Sequence, residues 1–509
     1  QILMDAAAKC YTAAVADWPL DYMQMQSRVK HEGVSFLTIT LPSFGAEFEK
    51  GLARGKVDPA DFPGWKRSGR LPTFLRGFAS LVFERDGRLK EEPDVAAIEG
   101  IRQISYAFKK ILLPCTPSRE ERAIEGYLQV EEELKVYSMS DHSRAVFGRV
   151  CDLLWGNAFS GDFAIDSTIP KHGPGSTSES IRYNQKYVVR TWHERLQPFF
   201  PYDTTAAPNT LSGTVCMDGV KFLPEDQELP VKVVLVPKTL KTPRVIAMES
   251  VCMQMTQQAL AGYFVSVLST FAITAGHINF SDQTVNQRLA LSASADGKSA
   301  TLDLVSASDR VPLIGVQRML EIRPDLLGAL LATRSKRANI PGKCTIDLEK
   351  FASMGSATCF PIEAMYFFSV ILTALWEDSG RPLTLETLFD LSRGVYVYGD
   401  DIIVPTDKVE VVLSALAIYN CKVSPSKSFW TGKFRESCGV EAYDGEDVTP
   451  TYIRQLCPEN KRDASRVISW VATSNQFYKK GYWRTAAHMK YRVESVVGKL
   501  PNIHETSPG

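Results

Sequence analysis

The chain has 509 residues, 44% of them hydrophobic and 23% charged, with 58 Lys and Arg set against 58 Asp and Glu. This composition excludes wholesale disorder and allows a large buried core; the zero formal charge excludes a protein that coats nucleic acid by bulk attraction, but not a basic channel inside a neutral shell. Ten cysteines stand singly with no CxxC pair, and there are seven histidines, so neither a zinc site of the usual spacing nor a disulfide framework has support; free thiols in a reducing cytoplasm are expected.

The first 160 residues read as mostly helical, with loops around Pro59 to Pro72 and Pro114 to Pro117. No signal peptide is evident. The chain begins at Gln1 and stops at Ser507-Pro508-Gly509, and both ends are expected to be incomplete. Composition turns loop-like at Lys171-His172-Gly173-Pro174-Gly175 and again from Pro201 to Gly219. Short β-branched runs follow, at Val231 to Val236, Thr301 to Val305 and Val395 to Tyr398, with long apolar helices between them. Two segments approach the length of a membrane span. Gln254, Gln257 and Gln258 interrupt the one from Val251 to Ala275, and Pro361 and Glu363 the one from Cys359 to Trp376. Both are expected to be buried helices, with no membrane partner.

Four stretches carry chemistry. Val236-Pro237-Lys238-Thr239-Leu240-Lys241-Thr242-Pro243-Arg244 places three cations within seven residues. Such a loop suits a triphosphate, with lysines as point charges and Arg244 able to bind bidentately, although a solvated loop is the commoner outcome from charge alone. In Thr301-Leu302-Asp303-Leu304-Val305, alternation puts Thr301, Asp303 and Val305 on one strand face, and an acid in an apolar strand is costly unless paired or metal-bound. Asp309, a little further on, reads equally as a helix N-terminal acid or as a ribose contact. Ser353-Met354-Gly355-Ser356 is a small-residue loop at a helix start, able to offer backbone N–H groups to a nucleotide or simply to cap the helix.

The most informative stretch is Val395 to Val404, where two strand-forming runs flank Gly399-Asp400-Asp401, a hairpin with an acidic pair at its tip. At about 4 Å and an effective dielectric near 20, two carboxylates repel by about 4 kcal/mol, a penalty that a hard divalent cation removes. If the Asp303 strand lies beside this hairpin, Asp303 and Asp400 converge on one site, where two Mg²⁺ ions (Mn²⁺ being the alternative) suit an in-line displacement. Asp401 is a third ligand, bound more loosely or holding the hairpin in shape. Lys427, in Ser424-Pro425-Ser426-Lys427-Ser428, is placed to protonate a leaving pyrophosphate or else to face solvent.

In this order the stretches resemble the motifs of viral RNA-dependent RNA polymerases, specifically the replicase subunit of the RNA bacteriophages (leviviruses). The matching stretches are Asp282 to Ala290, Asp303 to Asp309, Ser353-Met354-Gly355, Tyr398-Gly399-Asp400-Asp401, Phe434 to Gly439 and Asp447 to Pro450. Ser35 to Pro42 and Lys171 to Gly175 add to them, so the resemblance runs from about Ser35 onward. It implies an α+β right-hand fold of fingers, palm and thumb, with an antiparallel palm sheet backed by helices. The expected division is residues 1–288 for the N-terminal region and fingers (triphosphate loop near 236–249), 289–440 for the palm, and 441–509 for a thumb that is short for the family.

The resemblance makes Asp303, Asp400 and Asp401 the metal ligands, and Lys238, Lys241 and Arg244 the triphosphate grip. Asp309, Ser353 and Gly355 belong to the nucleotide site, Lys427 is the general acid, and Phe434 to Gly439 is a primer-grip-like segment. Two positions depart from the pattern: Cys359 stands where many polymerases keep Thr, and Glu363 where distant ones have Asn. RNA template and NTPs are the implied ligands, host elongation factors Tu and Ts the implied partners, and the cytoplasm of the infected bacterium the implied location. Among alternatives, a reverse transcriptase usually carries a bulkier residue than Gly399 before the acidic pair. A nuclease would not need the cationic loop. A non-catalytic RNA-binding scaffold on the same fold would be favoured by loss of one of the three acids, and all three are present.

Overall fold

In the computed structural model, which describes residues 1–161, 168–181, 183–207 and 219–504, the N-terminal third is helical as the sequence predicts. Its helices are α1 (Ile2–Cys10), α2 (Trp18–Glu32), α3 (Leu41–Arg54), α4 (Arg76–Val82), α5 (Val95–Tyr106), α6 (Pro117–Val136) and α7 (Asp141–Ala158). Local chemistry sets their starts. The Asp94 side chain accepts from the Ala97 N–H to open α5, Ser140 does the same for α7 from Ser143, and Pro117 sits where α6 has no hydrogen bond to lose. In α3 the buried stripe Leu41, Phe44, Phe48 and Leu52 follows helical periodicity and faces α5. The loop predicted over 59–72 holds a small hairpin, Arg67–Ser68 against Leu71–Pro72.

Thr191–His193 and Lys221–Leu223 pair in a small parallel sheet, and beyond residue 230 strands alternate with helices. The strands are β1 (Val231–Val236), β2 (Arg244–Met248), β3 (Ser299–Asp303), β4 (Arg337–Asn339), β5 (Thr345–Asp347), β6 (Tyr396–Tyr398), β7 (Asp401–Pro405), β8 (Phe434–Ser437), β9 (Val440–Tyr443) and β10 (Glu446–Asp447). Three sheets result, in the orders β2-β1-β4-β5, β6-β7-β3 and β8-β9-β10. The middle one is wholly antiparallel, as expected of the central sheet. The chain is therefore α+β. Two sequence boundaries shift: β3 ends at Asp303, which leaves Val305 exposed past the strand, and Val395 precedes β6. Of the loop predicted from Pro201 to Gly219, Tyr202–Thr205 is a single helical turn and 208–218 lie outside the described residues, as do Ser507 to Gly509.

The long helices α9 (Thr284–Asp296) and α10 (Cys359–Ser379) pack on the central sheet, and α8 (Val251–Thr270) packs on α10. Among the described residues α10 is the one helix long and apolar enough to cross a membrane, and it is buried in protein instead, as predicted. Ile362, Tyr366, Phe368, Ile371 and Leu372 are fully buried there, each such side chain contributing roughly 1.5–3 kcal/mol. The C-terminal pair α11 (Ala464–Lys479) and α12 (Trp483–Val497) pack on each other.

Three apolar cores organise the chain. The largest joins α7, α8, α10 and the central sheet. A second unites α1, α3, α4 and α5 with Phe434, Tyr443, Phe477, Tyr482 and Met489. A third, smaller core lies between α6 and the β2-β1-β4-β5 sheet. The cores cut across the divisions expected at residues 288 and 440, because the first hundred residues share a core with the last eighty rather than with 117–288.

Candidate active site

The acidic site is built by strand register. β6 and β7 pair with Tyr398 opposite Asp401, leaving Gly399 and Asp400 as a two-residue turn. Gly399 has φ +60°, the left-handed conformation that a hairpin of this length needs at its first turn position. A Cβ there would also strike the Phe360 ring. β7 in turn pairs with β3 so that Asp401 faces Asp303, placing all three predicted carboxylates at one end of one sheet.

The segment 423–429 completes the edge. Bridges between Leu304 and Val423 and between Thr301 and Phe429 lay it along β3, and the Ser424 N–H donates to Asp303 O (2.8 Å). The turn between carries Lys427, whose Nζ lies 3.1 Å from Asp303 Oδ1.

Electrostatics follow from this crowding. Burial, with Asp400 and Glu436 nearby, lifts Asp303 to about 6 against the opposing pull of Lys427. Burial and Asp400 push Asp401 up to about 7, while Ser437 Oγ donates to its Oδ1 (3.4 Å). Burial opposes the charge on Lys427, but Asp303, Glu436 and Asp400 together hold its pKa above the ordinary lysine value. Glu363, on the floor of the site, is pushed well above the usual carboxylate range by burial, Asp400 and Asp309.

These groups open on a cleft of about 450 Å³ lined by Asp303, Asp400, Lys427, Asp309 and Glu363, with Lys238 and Arg244 across from the acids. The loop expected to grip a triphosphate is the β1–β2 hairpin, in which Val236 pairs with Arg244. Lys238 has its pKa lowered by the walls of the cleft and by Arg244 and Lys427, so its cation is held among cations with the acids as a partial counterweight. Cations gathered on that side of the cleft favour an anionic ligand there.

Four predicted residues do not line the cleft, and Asp401, behind the hairpin turn, is one of them. Lys241 is exposed outside its lining. Ser353 is buried, its hydroxyl 2.8 Å from Tyr127 Oη. Gly355 has φ +134°, and a Cβ there would be driven into the carbonyl oxygen of Ala247, whose N–H donates to Met354 O (2.9 Å). The close approach that this glycine permits is made to strand β2; of this loop, Met354 faces the cleft. Lys171 to Gly175 border a separate cavity of about 970 Å³, which His172 to Gly175 line with Lys186 and Tyr187.

Sequence reasoning missed Arg122 and Tyr127 on α6, which line the cleft from a helix more than a hundred residues upstream. Their spacing with Ala123 and Gly126 marks one helix face, the only signal available. It also missed Lys350. That ammonium is fully buried, 2.9 Å from Glu131 Oε1, 2.8 Å from Asp309 Oδ1 and 3.6 Å from the Tyr127 ring centroid. It fixes Asp309 in the cleft wall and accounts for that acid without a helix dipole.

Whether the site fits a divalent cation can be judged from the donors. Asp303, Asp400 and Asp401 supply hard oxygens, and the Lys427 ammonium against Asp303 stands in for a cation. Among the described residues no three His, Cys, Asp or Glu side chains are already gathered in metal-binding range. The donor set is of the kind that a hard divalent cation takes.

Fold and site define a class: an α+β protein with strand-end carboxylates and a set of cations lining one cleft. Residues 221–468 match the family described as RNA replicase, beta-chain. This stretch, just under half of the chain, contains every predicted site residue. The chain is 36% identical over 223 residues to the RNA-directed RNA polymerase subunit beta of Qbeta virus (strain MX1), covering 44% of this chain and 35% of that protein. It is 38% identical over 178 residues to the RNA-directed RNA polymerase beta chain of Escherichia phage MS2, covering 35% and 30%. The matches thus span about a third of these curated relatives. In a structure comparison, the RNA-dependent RNA polymerase of a human picorbirnavirus aligns over 52% of this chain and 55% of its own with a TM-score of 0.37 and 10% identity.

Proposed function

We propose that the chain is an RNA-directed RNA polymerase that copies a positive-strand phage genome by nucleotidyl transfer from NTPs to an RNA 3′-hydroxyl, releasing pyrophosphate. The observation that carries this reading is the register that sets Asp303 opposite Asp401, with Asp400 at the adjoining turn, facing Lys238 and Arg244 across one cleft. Similarity supports it: residues 221–468 match a family described as RNA replicase, beta-chain, and the curated proteins that the chain matches are named RNA-directed RNA polymerases. In this reading β3, β6 and β7 are the palm, the β1–β2 hairpin belongs to the fingers and α11–α12 to the thumb.

Asp303 and Asp400, with Asp401 supporting the hairpin, would hold two Mg²⁺ ions, which when bound supply activation of the 3′-hydroxyl and charge neutralisation on the triphosphate. Lys238 and Arg244 bind the triphosphate from the opposite wall. Lys427, kept protonated by its acidic neighbours, holds a proton beside Asp303 that can pass to the departing pyrophosphate. Asp309, anchored by Lys350, and Glu363 form the wall nearest the sugar. Host elongation factors Tu and Ts as partners, and the bacterial cytoplasm as the setting, belong to the same proposal.

The test is template-directed RNA synthesis with Mg²⁺ and NTPs, with and without the bacterial elongation factors. Asp400→Asn should abolish synthesis while leaving the melting temperature unchanged. Synthesis at the normal rate by this variant refutes the assignment.

A further inference from the structure

A second group of cations lies next to the acidic site and is explained by nothing above. After α5 the chain runs Ala107-Phe108-Lys109-Lys110-Ile111-Leu112. Two backbone bonds staple it to the C-terminal segment: the Ile453 N–H donates to Ala107 O (2.7 Å) and the Leu112 N–H to Arg454 O (2.8 Å). Lys109, Lys110 and Arg454 are thereby brought together from segments more than three hundred residues apart. Lys110 Nζ lies 4.0 Å from the Tyr452 ring centroid, and Lys109 Nζ 4.4 Å from that of Tyr106.

None of the three cations has an ion-pair partner among the described residues. The acids beneath them are already engaged. Buried Arg102 is paired with Glu49 and Glu441, and Tyr452 Oη donates to Glu441 Oε1 (3.3 Å). Glu436 is the one acid that faces both lysines without such a partner. Burial lowers the pKa of both; for Lys110, Arg454 and Lys109 add to the effect and bring it to about 8, with Lys427 lowering and Glu436 raising it. A folded chain that packs three cations together with one acid is holding a place for an anion.

Position says which anion. Lys427, which touches Asp303, is coupled electrostatically to Lys238 on the triphosphate wall and to Lys109 and Lys110 on this side. The group therefore borders the carboxylates but is separate from the triphosphate loop. Its charges are strung along a seam between two chain segments, which suits a linear polyanion better than a single phosphate. We propose that Lys109, Lys110 and Arg454 form a binding site for the phosphodiester backbone of the RNA strand whose 3′ end enters the carboxylate site. This assignment rests on the polymerase reading.

The experiment measures binding of a fluorescent single-stranded RNA decamer to the full chain across 50–300 mM salt, with NTP incorporation assayed in parallel. Lys109→Ala/Lys110→Ala should weaken RNA binding on the order of tenfold and flatten the salt dependence by about 1.4 in log–log slope, about 0.7 for each phosphate left without its cation. The KM for NTP should not move. Wild-type affinity should fall as pH rises through about 8, where free Lys110 loses its charge. Lys110→Arg, which also controls for folding, should keep the affinity and lose that fall. Normal synthesis with an unchanged salt slope in the double variant, or an effect confined to the KM for NTP, overturns the site and leaves the polymerase reading standing. A wild type that binds RNA with the expected slope yet synthesises none refutes the polymerase reading instead.

Discussion

Lys350→Met tests the wall of the cleft most directly. The lysine is 0% exposed, ion-paired to Glu131 and Asp309 and stacked on Tyr127. Removing the ammonium leaves Glu131, whose side chain is 2% exposed, with the Glu349 N–H (2.7 Å) as its remaining donor. Breaking a buried pair from one side costs about 3–5 kcal/mol, because the surviving charge stays desolvated. Asp309 is 20% exposed and can recover solvation from the cleft, so most of the loss should come from Glu131. Urea unfolding monitored by tryptophan fluorescence should show that loss. Lys350→Met/Glu131→Gln should restore stability to within about 2 kcal/mol of wild type, since a neutral pair of similar volume is tolerated. In the restored protein Asp309 still lacks its anchor, so the KM for NTP should rise while the fold holds. A single variant within about 1 kcal/mol of wild type would refute the electrostatic argument, and a restored protein with unchanged KM would refute the role given to Asp309.

Gly355→Ala should destabilise by roughly 2 kcal/mol or more, because φ +134° and the Ala247 carbonyl leave no room for a methyl group; thermal melting would show it, and an unchanged melting temperature would argue against the close packing on β2. Arg122→Ala should raise the KM for NTP with little change in stability, as its guanidinium lines the cleft from an exposed helix face; steady-state incorporation kinetics would check it. Glu249 is buried, and burial lifts its pKa to about 7 while Ser335 and Gln257 pull it down. Its folded pKa thus lies above the unfolded value near 4.5, so stability is greatest below pH 4.5 and falls as pH climbs toward 7, by about 3 kcal/mol in all. Glu249→Gln should remove that fall, gaining on wild type at pH 8 relative to pH 5 in denaturant titrations.

How much of this was legible in the sequence depends on whether a residue's role is local. The Gly399-Asp400-Asp401 turn could be read directly, because a glycine and two acids between strand-forming runs carry their hairpin with them, and the turn geometry agrees. Asp303 needed one further step, the pairing of β3 with β7, which the two apolar strands made the natural assumption. Ser353 and Gly355 lie outside the cleft lining for a physical reason. A loop of small residues announces that something approaches closely, but not what, and in this structure it is Ala247. Lys241 lies outside the lining too, since charge density in a loop says nothing of which side chains turn toward the cleft. Lys350 was invisible because its meaning lies in Glu131 and Tyr127, more than two hundred residues away. The same holds for the domain divisions. Periodicity marks each helix of the first hundred residues as amphipathic, but their partner surface is made by Phe434, Tyr443 and Phe477, which only the closed fold brings to them. That shared core also explains how Lys109 and Lys110 reach the edge of a site built from residues 238–427. The N-terminal helices and the C-terminal segment meet there, so the cations they bring should respond to RNA together, and Arg454→Ala should reproduce part of the loss seen with the two lysines.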